Sequence, residues 1–473
     1  MKTARAEGPS RRAFLKSGSQ VAAASTLLGA LSARLYASED SVIRVALVGC
    51  GGRGSGAAAN AMAVENGPVK LFAMADLFAD RLQRSYKGLM DAASAPRTGG
   101  SADTWIMGYQ ADQIDVPPER QFLGFDAYQK AIDCLRPGDV VILTTPVAFR
   151  WVHFRYAIQK GINVFMEKPV TVDGPSTRRM LQLAEESERK NLKVGVGLMC
   201  RHCKARWELY DRIQSGAIGD LLTLRTYRQH GPAGFYGPNQ SSESELLWQI
   251  RSYLGFLWGS GGLFQDIIAH NVDECCWMKG GWPVKAQGSG GRGQRGSAVD
   301  QNFDHYDAEC TFADGAKLFI YVRAMAGCHG EFASYAHGTK GAAVISTHMH
   351  TPAKCRIYKG HDFARSNLVW RFPQPEPNPY QLEWDHLIDA IRNDKPFNEA
   401  KRGTEAGLVT AMARRAVHTG QVVTYDQMLN CEEQFAADVD ALTVNSPAPV
   451  HPGPDGIYPV PEPGILKDRE YRA

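Results

Sequence analysis

The sequence predicts a mixed fold in two parts: a parallel, doubly wound α/β half, then an α+β half with a largely antiparallel, open-faced sheet. Three observations carry this. Short β-branched runs alternate with helical segments up to about residue 200. A glycine cluster, Gly49-Cys50-Gly51-Gly52-Arg53-Gly54, stands at the first strand-to-helix junction. Beyond residue 200 the strands lengthen and follow one another, and Asp314-Gly315 offers a hairpin turn between two of them.

The run 42–48 is short, β-branched and apolar, as a buried strand should be. After the glycines come small residues, 57–63, that suit a closely packed helix. Strands are expected at 69–75, 139–144, 163–166 and 193–198, with helices at 78–93, 126–135, 149–160 and 175–190 between them. Residues 95–120 are rich in Gly, Pro, Asp and Ser and read as a loop insertion. In the second half a helix at 204–214 precedes strands at 221–229, 284–288, 306–312, 317–323 and 332–337, with a helix at 261–278 inserted ahead of most of them. Late helices are expected at 381–392 and 404–419. The segment 447–463 is dense in Pro and Gly and reads as an extended arm lying on a surface or on a partner subunit. The predicted organisation is thus 38–199, 200–446 and an arm at 447–473.

The 473 residues suffice for two domains, and 44% apolar with 22% charged residues is ordinary for a globular chain. The net charge of +3 and the lack of a basic stripe give no reason to expect nucleic acid. At the N-terminus, Arg11-Arg12-Ala13-Phe14-Leu15-Lys16 precedes a mildly apolar run at 21–35 and a small-residue site at 35–37. This reads as a twin-arginine signal peptide over residues 1–37. The run is too short, and too broken by Gly29, Ser32 and Arg34, for a membrane helix. A periplasmic or otherwise exported protein is expected, and that route carries proteins already folded around a cofactor. Ten cysteines suggest disulfides in such a protein, but Cys50 lies in the glycine loop and Cys275-Cys276 are adjacent. Cys200-Arg201-His202-Cys203 lacks a second ligand pair nearby, so buried thiols are expected and no metal.

Gly49-x-Gly51-x-x-Gly54 follows a strand, opens a helix, and has Asp76 about 20 residues on at the end of the next strand. That is the context of a Rossmann dinucleotide site. Gly49 permits the tight turn, Gly51 a close approach to pyrophosphate, and Gly54 close helix packing, while the helix N-terminus faces the phosphates. Asp76 would accept from a ribose diol and repel a 2′-phosphate, which favours NAD over NADP.

Glu167-Lys168-Pro169 sits at the carboxyl end of a strand, where such sheets bind ligands. A lysine there can donate to a substrate hydroxyl. Asp266 and His270 are four apart on a predicted helix and share a face. A carboxylate one turn from an imidazole can orient it and raise its basicity, which suits proton removal from a hydroxyl.

Together these motifs resemble the Gfo/Idh/MocA oxidoreductases, over nearly the whole mature chain. The resemblance implies Lys168, Asp266 and His270 as the catalytic trio, and Thr145, Pro146, His153 and Glu167 beside Gly49 to Gly54 and Asp76 at the NAD site. Trp248-Gln249-Ile250-Arg251 and Asp304-His305 resemble an exported branch of the family. From it Arg201, Trp248, Arg251 and His305 are expected at the substrate. The 95–120 insertion and Cys200-x-x-Cys203 depart from the family pattern.

Three readings follow. The first is a sugar or polyol oxidoreductase with tightly held NAD, since free NAD is scarce outside the cytoplasm. The second is an NAD-dependent glycosidase working by transient oxidation, elimination and re-reduction. The third, a non-catalytic NAD-binding protein, is disfavoured by the intact trio. A homo-oligomer is expected from a sheet with one bare face.

Overall fold

The computed structural model describes residues 41–94 and 108–472. The expected signal peptide and residues 95–107 of the 95–120 insertion lie outside the described residues.

The first half is a six-stranded parallel sheet. In chain order its elements are β1 (Ile43–Val48), α1 (Gly52–Met62), β2 (Val69–Asp76), α2 (Ala79–Ser94), β3 (Gln121–Leu123), α3 (Ala127–Asp133), β4 (Val140–Leu143), α4 (Arg150–Lys160), β5 (Asn163–Met166), α5 (Gly174–Arg189) and β6 (Val194–Val196). The sheet order β3-β2-β1-β4-β5-β6 reverses between β1 and β4. That switch point leaves a crevice at the carboxyl ends of the strands. β1, β4 and β5 are buried along nearly their whole length because helices cover both faces. Ala57, Ala58, Ala59 and Ala61 let α1 lie close on this sheet. β3 was not expected. Three half-exposed residues carry no readable period, and only pairing with β2 makes them a strand.

The second half continues with α6 (Lys204–Gln214), β7 (Leu221–His230), α7 (Glu245–Arg251), α8 (Gly262–Lys279), β8 (Lys285–Gly291), β9 (His305–Thr311), β10 (Lys317–Ala324), β11 (Glu331–Gly338), β12 (Gly341–Thr347), β13 (Arg356–Lys359), β14 (Leu368–Arg371), α9 (Pro379–Arg392), α10 (Ala400–Thr419) and β15 (Val423–Thr424). Nine strands form one sheet, β14-β13-β12-β11-β7-β10-β9-β8-β15, and only β7 and β10 run parallel. The inner face packs on α8. Thr226 of β7 and Ser334 of β11 hydrogen-bond at 2.8 Å, and Asn271 of α8 donates to Ser334. Tyr227, Tyr321 and Tyr335 point the other way and remain half-exposed.

Two features differ from the expectations, and the arm takes one of the two places open to it. β12 to β14 and α7 were not foreseen. Gly341-Ala342-Ala343 has none of the β-branched signal of a strand, yet every residue of β12 is buried. α9 belongs to the first sheet: its Trp384 packs on Phe165 of β5, with ring centroids 4.6 Å apart. The C-terminal arm lies on this chain itself. Tyr458 packs edge-on against Phe256 at 4.8 Å, and buried Glu470 pairs with Arg414 Nε at 2.9 Å and His418 Nδ1 at 2.7 Å. Among the described residues no helix is long and apolar enough to cross a membrane.

Candidate active site

A cleft of about 200 Å³ opens at the switch point, lined by the glycine loop, Asp76, Arg81, Tyr128, Thr145, Pro146, Phe149, His153 and Tyr253. β1 ends at Val48, and Gly49 turns the chain with φ +97°. A Cβ on Gly49 would stand 2.6 Å from the Thr145 nitrogen, and one on Gly54 would stand 2.2 Å from the Gly49 oxygen. Side chains on Gly51 and Gly52 would meet nothing, because both face open space. No side chain caps α1, so its first N–H groups are left for an anion.

Asp76 holds this loop. Its Oδ2 accepts from the Cys50 N–H at 2.6 Å and its Oδ1 from the Phe78 N–H at 2.9 Å. Burial raises its pKa, and the two backbone donors oppose that rise. Cys50 turns its thiol inward and its N–H is used by Asp76, so it does not line the cleft. His153 receives or donates at Thr145 Oγ1, 3.2 Å away, and stacks on Tyr128 at 4.2 Å. Burial, then the charge of Arg150, lowers its pKa to about 3, so the ring is neutral. Arg53 lines the cleft and bonds Glu167 Oε1 through Nε (2.9 Å) and Nη2 (2.5 Å). Glu167 thereby positions Arg53 from behind the cleft wall.

Lys168 follows β5 through a cis peptide to Pro169. Its Nζ donates to the Asp266 carbonyl at 2.7 Å and lies 3.6 Å from Asp266 Oδ1. Asp266 and His270 stand on α8 as expected, but the carboxylate serves Lys168 and not the imidazole. His270 Nδ1 is sealed with no hydrogen-bond partner, and the ring lies 4.5 Å from that of His350. Burial first, then the positive charge of Lys168, lowers the His270 pKa well below its usual value. The neutral ring is a proton acceptor beside a lysine donor.

The four expected substrate residues have other partners. Arg201 makes a bidentate pair with buried Asp273, both contacts 2.8 Å, and lies over Trp277. Trp248 packs on Phe256 and stacks on Tyr458, joining helix to arm. Arg251 pairs with Asp80 (2.9 Å) and Glu243 (2.8 Å) at the rim, over Phe78. His305 is bonded to Asp304 at 2.8 Å and faces away from α8. Its neighbour Tyr306 packs on Phe264 of α8, and alternate strand residues point to opposite faces. Sequence reasoning passed over Arg81, Tyr128, Tyr253 and His350. Arg81 follows β2 at the expected crevice, which was the available signal.

The fold and the cleft define a protein built to hold a dinucleotide at the switch point of a parallel sheet. Residues 207–344 match the GFO/IDH/MocA C-terminal domain. The chain is 24% identical over 272 residues to the NAD(+)-dependent scyllo-inositol 2-dehydrogenase of Bacillus subtilis, covering 55% of this chain and 69% of that one. It is 22% identical over 340 residues to an inositol 2-dehydrogenase of Rhizobium meliloti (70% and 94%). It is 27% identical over 182 residues to a glycosyl hydrolase family 109 protein of Streptomyces coelicolor (38% and 32%). The crystal structure of aldose-aldose oxidoreductase from Caulobacter crescentus, complexed with glycerol, shares the fold at TM-score 0.58 and 16% identity, over 81% of this chain and 99% of that one. The chain carries a C-terminal domain of the GFO/IDH/MocA type, and its relatives support an oxidoreductase that uses a nicotinamide cofactor.

Proposed function

We propose that this chain passes a hydride between a sugar or polyol hydroxyl and tightly held NAD. The observation that carries the reading is the meeting of Lys168, Asp266 and His270 beside the dinucleotide cleft, where Glu167 and Lys168 are consecutive and Glu167 holds Arg53 of the cleft wall. When bound, the nicotinamide supplies a two-electron hydride acceptor. His270, kept neutral by burial, takes the hydroxyl proton. Lys168 donates to the same oxygen, and Asp266 fixes the ammonium through its carbonyl and carboxylate. The buried carboxylate of Asp76 supports NAD over NADP, because Arg81, the nearby cation, is engaged with the Arg251 carbonyl at 3.2 Å. The twin-arginine pattern supports export, and export supports a cofactor that is retained through each cycle. The half-exposed tyrosines of the outer sheet face support pairing with a second copy.

The test is to denature the purified protein and assay the released dinucleotide, then offer the native protein free sugars and aryl glycosides without added cofactor. Stoichiometric NAD with an NADH absorbance band on adding a free sugar supports the proposal. The match to a glycosyl hydrolase family 109 protein favours one second reading, NAD-dependent glycosidic cleavage. Aglycone release without added cofactor would select it. Absence of bound dinucleotide defeats tight retention.

A further inference from the structure

His350 is an imidazole that the proton transfer above leaves unused. It stands on the loop after β12, partly exposed, where β7, β11 and α8 converge. Its ring lies 4.5 Å from His270 at 60°, and 4.5 Å edge-on from Phe332, whose ring also carries the Arg228 guanidinium at 3.7 Å. Behind it the Cys200 Sγ is 3.9 Å from His350 Nδ1 and 3.4 Å from Met199 Sδ. Cys200 is fully buried, which raises its pKa and keeps the thiol protonated. The single thiol proton has two acceptors here, Met199 Sδ and His350 Nδ1, and when it goes to Nδ1 the ring proton stands on Nε2. Burial, then His270, Arg228, Arg206 and Lys168, which face the ring from α8, β7, α6 and the turn after β5, hold His350 neutral. His270 is the complement. Its Nδ1 is sealed, so Nε2 is the nitrogen left to meet a substrate.

Resting on the hydroxyl oxidation proposed above, we propose that His350 is a specificity-determining substrate contact: its Nε2–H donates to the hydroxyl adjacent to the one whose proton His270 takes. Two neighbouring neutral imidazoles, one accepting and one donating, thus recognise a vicinal diol. The preferred substrate is a sugar or polyol with a free hydroxyl next to the reacting carbon, and the analogue deoxygenated there is rejected because it covers the donor and leaves it unpaired.

Two measurements on the cofactor-loaded enzyme test this. The ¹⁵N spectrum, assigned with His350→Gln, should show at neutral pH a His350 ring protonated on Nε2. A ring protonated on Nδ1 overturns the proposal whatever the sugars do. Affinity by calorimetry and kcat/KM are then compared for glucose, myo-inositol and their monodeoxy analogues. Wild type should lose about 10–100-fold on one analogue. His350→Phe, which keeps the ring contacts, should treat that analogue and its parent alike, and His350→Gln should restore part of the discrimination. Full wild-type discrimination in His350→Phe also overturns the proposal. A wild type that neither binds nor oxidises any probe defeats the oxidoreductase reading instead, while the spectrum still decides whether His350 presents a donor. Cofactor content on denaturation verifies that each variant folds.

Discussion

Lys168 and His270 differ in what their removal should leave behind. Lys168→Ala deletes the donor to the reacting oxygen but touches no loop residue, so kcat/KM should fall by about 10²–10⁴-fold with dinucleotide content intact. Steady-state rates beside a cofactor assay check this, and unchanged turnover in both Lys168→Ala and His270→Ala would remove the trio from the mechanism. Some of the site was legible residue by residue. Gly49, Gly54 and Asp76 could be placed because a tight turn, a close helix approach and a strand-end carboxylate are local requirements that spacing records. Arg201, Arg251 and His305 could not. Their residue types suit a sugar, but long-range partners such as Asp273 and Asp80, and the strand parity of His305, decide where each side chain goes. Cys200 and His350 are 150 residues apart, and no spacing rule links them.

Among the elements, strong periodic helices and β-branched strands were readable, while β3, β12 and the short edge strands were not. Those strands exist because a neighbour offers an open row of backbone groups, which is information the partner strand holds. The same holds for α9, whose amphipathic pattern announces a helix but not which sheet it covers. The arm shows how much such tertiary placement matters. Arg414 spans Glu470, the Val172 carbonyl and the Gly261 carbonyl, with every group buried. Glu470→Ala strands the arginine and leaves His418 unpaired. Urea unfolding should show a loss of about 3 kcal/mol, the low end for breaking a buried ion pair, because Arg414 keeps its carbonyl partners. A variant as stable as wild type would show that the arm contributes nothing to the fold.

The molecule as a whole stores many neutral histidines. His153, His270, His350 and His418 all have pKa values lowered chiefly by burial from the usual 6.5. The unfolded chain binds protons at these groups as pH falls through about 6.5, and the folded chain does not. Their contribution to stability is therefore complete above 6.5 and declines progressively below it. Glu383, pushed well above its usual value by burial and then by Glu167, opposes the trend with a single proton. Tm should fall between pH 7.5 and 5.5, and a flat or rising Tm would contradict neutral burial of the four rings. The two-part architecture was legible from rhythm alone, but not the way the chain stitches its parts together. After the nine-stranded sheet the chain returns to the first sheet with α9, goes back with α10, binds α5 where Arg178 donates to the Leu429 and Cys431 carbonyls, and ends on α10 through Glu470. Halves laced this often cannot swing apart like the covers of a book. Lacing of this kind predicts that a bound dinucleotide exchanges slowly with free NAD, and isotope exchange would measure it.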